Sequence, residues 1–114
     1  MAELRESTYF ILAALLEGPR HGYGIAQAAG ELSGGRVRPS AGTLYGALER
    51  LTTEELVQRD REEVVSGRRR RFYRLTGAGR AQLEAEAERM RASAAVVQTR
   101  LSPRSRRAAV EGAV

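Results

Sequence analysis

The chain has no cysteine and no tryptophan, a single histidine and a single aspartate, and every one of its 19 basic residues is an arginine. The missing thiols exclude disulfides, thiolate metal sites and cysteine nucleophiles, and fit a reducing compartment. With His21 the only histidine and Asp60 the only aspartate, the residues point to neither a histidine metal site nor a Ser-His-Asp triad. Glu54-Glu55 and Glu62-Glu63 fall in expected turns and the other carboxylates are scattered over helix surfaces, so an enzyme reading has no residues to stand on and no cofactor is expected. No apolar run approaches the ~20 residues that cross a bilayer. The start Met1-Ala2-Glu3-Leu4-Arg5-Glu6 lacks the basic opening and apolar middle of a secretion signal, which points to the cytoplasm.

With aromatics at 5% of 114 residues, the core must be built from Leu, Ala, Val and Ile. That length suits one small domain with an appendage, and a thin core leaves an amphipathic helix to find its partner in a second copy, so a homodimer is expected. The formal charge is +5. An Ala-, Gly- and Arg-rich composition without lysine is what biased codon usage produces, so position tells more than the total. Residues 1–35 carry two Arg against four Glu, net −2; residues 36–74 carry ten Arg against six acids, net +4; residues 75–114 carry seven Arg against four Glu, net +3. Positive charge begins at about Arg36.

Leu4, Ile11, Leu12, Leu15 and Leu16 fall at helical spacing and Gly18-Pro19 stops the run. His21-Gly22-Tyr23-Gly24 opens a second helix to about Leu32 with Tyr23, Ile25, Ala26, Ala29 and Leu32 as its apolar positions, and Ser33-Gly34-Gly35 is a turn. His21 reads as a structural residue at that helix start. Ser40 is an N-cap for a third helix whose buried stripe is Leu44, Ala47, Leu48 and Leu51, leaving Thr43, Tyr45, Gly46, Glu49 and Arg50 outside. Leu56–Asp60 and Arg71–Leu75 have strand composition around Ser66-Gly67, which predicts an antiparallel hairpin with a wing at about 61–70. In the second strand, alternation points Phe72 and Arg74 to one face and Arg71 and Tyr73 to the other. Thr76 caps a long fourth helix in which Leu83, Ala87, Met90, Ala94, Val97 and Leu101 are spaced 4, 3, 4, 3, 4, a heptad seam, and Ser102-Pro103 ends it.

Helix, strand, basic loop, strand is the order of a winged helix. The fold expected is mainly α with a small β-hairpin: a winged helix-turn-helix over 1–76, a C-terminal dimerisation helix over 77–102 and a loose tail over 103–114 with Arg106 and Arg107. The small residues Ser40, Ala41 and Gly42 let the third helix approach DNA closely, its first amides favour phosphate, and Thr43, Tyr45 and Arg50 can donate to bases or backbone. Arg38 and the run Arg68, Arg69, Arg70 and Arg71 add phosphate contacts on either side. The contact between copies is expected at Leu4, Ile11, Leu83, Ala87, Met90, Ala94, Val97 and Leu101.

Taken together, His21-Gly22-Tyr23-Gly24-Ile25, then Ser40-Ala41-Gly42-Thr43-Leu44-Tyr45 with Leu48 and Leu51, then Arg71-Phe72-Tyr73-Arg74-Leu75-Thr76 with Gly79-Arg80 and Leu83 closely resemble the PadR family of bacterial transcriptional regulators, over about residues 8–90. The resemblance implies a winged helix-turn-helix repressor that binds an inverted repeat as a dimer through helix 1 and the C-terminal helix, in the family's shorter subgroup. By position it carries over Ser40, Thr43, Tyr45 and the wing arginines as DNA contacts. Such proteins usually have a glycine just before the first strand, where this chain has Glu54-Glu55-Leu56, so a differently built turn is expected. Members that hold flat aromatic drugs use a tryptophan on the C-terminal helix, and this chain has none, so no ligand is carried over. Two other readings remain open at this point: a winged helix whose basic face meets an acidic protein, and a sensor with a small-molecule effector between the C-terminal helices, lined by Leu4, Thr8, Met90, Ala94 and Val97.

Overall fold

A computed structural model of the chain describes residues 4–102; the tail expected over 103–114 lies outside the described residues. The chain divides into two compact units, one running through Leu83 and one from Glu84.

In the first unit, α1 (Glu6–Ala13) follows an extended Arg5 and buries Thr8, Ile11 and Leu12. It is shorter than the spacing Leu4 to Leu16 predicts. Leu15 and Leu16 bond back only three residues, to Leu12 and Ala13 at 3.0 and 3.1 Å, so the last turn tightens and ends at Gly18 with φ +147°. A two-residue strand, β1 (Arg20–His21), comes next and pairs with the sheet. His21 then caps α2 (Gly22–Leu32), its Nδ1 accepting from the Gly24 amide at 3.2 Å. The buried positions of α2 are Gly22, Ile25, Ala28 and Ala29, whereas Tyr23 and Leu32, expected on its apolar face, are exposed. The stripe is rotated because the small residues, not the large ones, allow close packing on α1 and α3.

The reading-helix candidate α3 (Ala41–Thr53) is capped by Ser40, whose Oγ accepts from the Thr43 amide at 3.2 Å, and it buries Leu44, Ala47, Leu48 and Leu51, the stripe its spacing predicts. It ends through Glu55 at φ +62°, with Glu55 N donating to Thr52 O and Leu56 N to Leu51 O. The chain then forms β2 (Val57–Val65) and β3 (Arg68–Leu75), joined by Ser66-Gly67 with φ +52° and +79°, the left-handed pair that a tight hairpin turn requires. Sheet order is β1-β3-β2, antiparallel throughout, with a bulge between Arg59 and Glu62. The expected wing at 61–70 is therefore strand rather than loop, apart from its turn, and Arg68 to Arg71 lie in β3.

Leu12, Leu15, Ile25, Leu48, Leu51 and Val57 form the centre of the core. Ile11 and Leu83, both expected at the contact between copies, are 1% and 4% exposed and belong to this core, which corrects that expectation. Leu83 comes from the start of α4 (Gly77–Leu101), which Thr76 caps by accepting from the Gly79 amide at 2.9 Å while donating to Glu55 O at 2.7 Å. Gly79 must be glycine: a β-carbon there would run into the carbonyl oxygen of Leu56, with Leu75 Cδ1 at 2.9 Å.

In the second unit α4 continues with Glu88 and Arg91 paired at 2.7 Å on its surface. Along the expected heptad seam Ala87 is half-buried and Met90, Ala94, Val97 and Leu101 are exposed. Among the described residues no helix is long and apolar enough to cross a membrane.

Candidate nucleic-acid interface

Ser40, Ala41, Gly42, Thr43, Tyr45, Gly46 and Glu49 all lie on the exposed side of α3. Gly42 and Gly46 face open space, a β-carbon at either meeting nothing within 4 Å. Two glycines in a 13-residue helix cost it about 1 kcal/mol each relative to alanine, and no packing among the described residues calls for them. Their spacing of four, on the face opposite the leucine stripe, was the available signal for Gly46 as part of the site.

Tyr45 is exposed, as expected of a residue facing outward, yet its hydroxyl rests against Gly22 at the start of α2. Arg38, just upstream, donates through Nε to Gly35 O at 3.1 Å and stands with Tyr23, Gln27 and Glu31 around an open groove of about 500 Å³. Arg50 departs from the expectation. Its guanidinium donates to the buried Thr8 hydroxyl at 3.1 Å and lies 3.8 Å from Glu54, so it ties α3 to α1 instead of standing clear for a partner. Thr8 and Leu4, named for an effector site, line a cleft of about 310 Å³ with Arg5, Arg50, Leu51, Glu54 and Gln82; Met90, Ala94 and Val97 belong to the other unit.

The four hairpin arginines divide by face, as alternation predicts. Arg69 and Arg71 share Glu62 of β2, at 3.5 and 3.4 Å. Arg68 and Arg70 form no ion pair among the described residues, and Arg70 Nε is shielded from solvent without a hydrogen-bond partner. Phe72 lies on the same face as Arg70, away from Tyr73, but both rings are buried. Two groups that the sequence reading did not foresee bury Phe72. The Arg61 guanidinium sits 4.2 Å from its ring centroid, held by Asp60 and Glu63, and the His21 ring meets it edge-on at 5.3 Å. His21 also stacks on Tyr23 at 6.5 Å. Burial, and then the charge of Arg70, hold the His21 imidazolium below the usual histidine range.

A smooth helix face, a tyrosine at its edge and an arginine-bearing strand thus share one unit, with phosphate-binding chemistry at both ends. The chain matches the transcriptional regulator PadR-like family over residues 11–85. It is 48% identical over 63 residues, 55% of either chain, to the transcriptional regulator Rv3488 of Mycobacterium tuberculosis. Its fold is similar to a PadR family regulator from Clostridium difficile at a TM-score of 0.70 and 28% identity, covering 86% of this chain and all of the other. It is also similar to Bacillus subtilis PadR, solved in complex with operator DNA, at 0.61 and 27%, covering 71% of this chain and 46% of the other. The chain spans 23% to 67% of the lengths of the curated relatives it matches. The match over most of its length, on a winged helix with a long C-terminal helix, makes this chain a member of the PadR-like family of transcriptional regulators.

Proposed function

We propose that the chain binds duplex DNA as a homodimer and acts in the cytoplasm as a repressor at an inverted-repeat operator. The observation that carries this reading is the open face of α3: Gly42 and Gly46 weaken the helix and serve no contact among the described residues, so their smoothness suits an outside surface that the backbone must approach closely. A major groove is such a surface. Ser40 and Thr43 reach its base edges, Tyr45 its flanking phosphate, and Arg68 and Arg70 the neighbouring backbone. Two copies joined through the C-terminal helices set their reading helices about one helical turn, ~34 Å, apart.

The test is a binding titration against the DNA upstream of the chain's own gene, with excess random competitor and at several salt concentrations. The expected result is tight, competitor-resistant binding at dimer stoichiometry, with a log-log salt slope of about 0.9 per phosphate contacted. In parallel, Gly46→Leu is expected to melt no lower than the parent, because helix propensity improves, while losing affinity. Binding erased equally by random DNA, or a Gly46→Leu variant that binds normally, counts against the reading.

A further inference from the structure

We infer that duplex DNA and a single proton bind this chain cooperatively, the proton on His21 and the coupling running through Arg70. This rests on the DNA-binding reading above and specifies how that binding is regulated.

The geometry comes from strand register. His21 of β1 stands opposite Phe72 of β3, so Arg70, two residues along β3 on the same face, is its diagonal neighbour. The other charged or titratable groups around the ring are Arg20 beside it in β1, Arg61 of β2 across the Phe72 ring with Asp60 and Glu63, and the phenols of Tyr23 and of Tyr45, which rests on Gly22. Arg20 is turned away, its Nε donating to Ala14 O at 2.8 Å, and Arg61 is held by its two acids. Arg70 is thus the cation on the His21 face that forms no ion pair among the described residues; Glu63, opposite it in register, is bound to Arg61.

In the free chain burial first, and then Arg70, which repels a second cation, favour the neutral form of His21. The Nδ1 lone pair that accepts from the Gly24 amide and the positive end of α2 act in the same sense. Burial by the chain's own atoms, the cap bond and the helix end are the same whether or not DNA is bound, so they cancel from the linkage. The effect of Arg70 changes. A phosphate that engages Arg70 offsets its charge at the imidazole, so the bound chain takes up a proton more readily than the free one. Linkage then requires the reciprocal: affinity rises as pH falls through the histidine range. With one histidine and no cysteine, no other side chain of ordinary pKa titrates there.

The experiment follows the His21 ring proton resonances by NMR from about pH 8 to about pH 5.5, in the free chain and saturated with a short random-sequence duplex at low salt. The same duplex is titrated by anisotropy across that range. The expected result is a higher titration midpoint in the complex; a rise of one unit corresponds to about tenfold tighter binding at the acid end than at the alkaline end. His21→Asn, which keeps a capping acceptor, is expected to bind like the parent at the alkaline end and to lose that pH dependence. In Arg70→Ala the free midpoint rises and the shift on binding vanishes. An equal or lower midpoint in the complex, or a His21→Asn profile identical to the parent's, overturns the inference while leaving DNA binding intact. Failure to bind any duplex at low salt overturns the DNA reading itself, and this inference with it.

Discussion

The Tyr45 hydroxyl occupies the space that a side chain at Gly22 would need: a β-carbon there would lie 2.7 Å from Tyr45 Cζ and closer still to the oxygen. The start of α2 thereby sets the direction of a side chain on α3. Gly22→Ala is expected to push the phenol away and leave the fold standing, because the displaced atoms are the far end of an exposed side chain. It should also gain roughly 0.5–1 kcal/mol of helix propensity. Affinity for all DNA sequences should fall about as far as in Tyr45→Phe, with no lower melting temperature. In a Tyr45→Ala background, Gly22→Ala should change affinity no further; an additional loss there would mean that Gly22 itself touches the duplex.

Glu55 holds the left-handed conformation, φ +62°, at the exit of α3, where a glycine would carry no β-carbon penalty. The turn keeps the glycine geometry without the glycine, since its hydrogen bonds and that from Thr76 use only the Glu55 backbone. Glu55→Gly should stabilise the fold by about 1 kcal/mol, read as a shift in denaturant midpoint at constant slope. A loss of stability would show that the Glu55 side chain does more than tolerate the turn.

Three of the helices were legible because each carries its own start signal. Ser40 and Thr76 cap where their residue types say they should, and Leu44, Ala47, Leu48 and Leu51 repeat at helical spacing. What escaped is held by contacts distant in sequence. Two residues of β1 have no period to read and exist only because Tyr73 and Phe72 lie alongside. The outer half of the hairpin shows no apolar alternation, since cross-strand pairs such as Arg71 with Glu62 line its faces. Phe72 is buried on the sheet's outer side by the Arg61 guanidinium and the His21 ring rather than by apolar residues, and Arg50 is drawn to Thr8, 42 positions away. Heptad spacing places Leu83 in a seam, but spacing cannot say which copies of a repeat the chain's own core has already taken.

Glu62 restrains two arginines at once, Arg69 at 3.5 Å and Arg71 at 3.4 Å. These pairs are exposed and add at most about 1 kcal/mol to stability. Glu62→Gln should therefore leave the melting temperature nearly unchanged, tighten binding to every duplex and steepen the salt slope by about 0.9 for each arginine that gains a phosphate. Arg70→Ala should weaken binding and make the slope shallower. An unchanged slope in both variants would remove the hairpin from the DNA contact.

Burial and Arg70 lower the folded-state pKa of His21, so the unfolded chain binds the proton more readily. Stability from this residue is then complete above the unfolded value of about 6.5 and is lost as pH falls below it through the folded value. Carboxylates also titrate at the acid end, so the measurement is the difference in melting temperature between the parent and His21→Asn across that window. The parent should lose stability relative to the variant on acidification. A constant difference would mean that the imidazole is neutral or charged alike in both states.

The C-terminal seam separates what one copy uses from what it leaves exposed. Leu83 is 4% exposed in the core of the first unit, whereas Met90 and Val97 are 41% and 56% exposed on α4. Leu83→Arg would therefore unfold the reading unit and report nothing about dimers, while Met90→Arg leaves that core untouched. In a dimer closed along the seam, Met90→Arg buries a charge without a partner, an interaction strongly destabilising to the contact. Light scattering should show the mass fall from two chains to one, with the melting of the first unit preserved. Operator affinity should fall steeply, because each reading head alone makes half of the contacts, while weak binding to random DNA persists through Arg68 and Arg70. If Met90→Arg and Val97→Arg both keep the parent's mass, the copies do not meet along this helix, and the spacing of the reading heads must be set elsewhere.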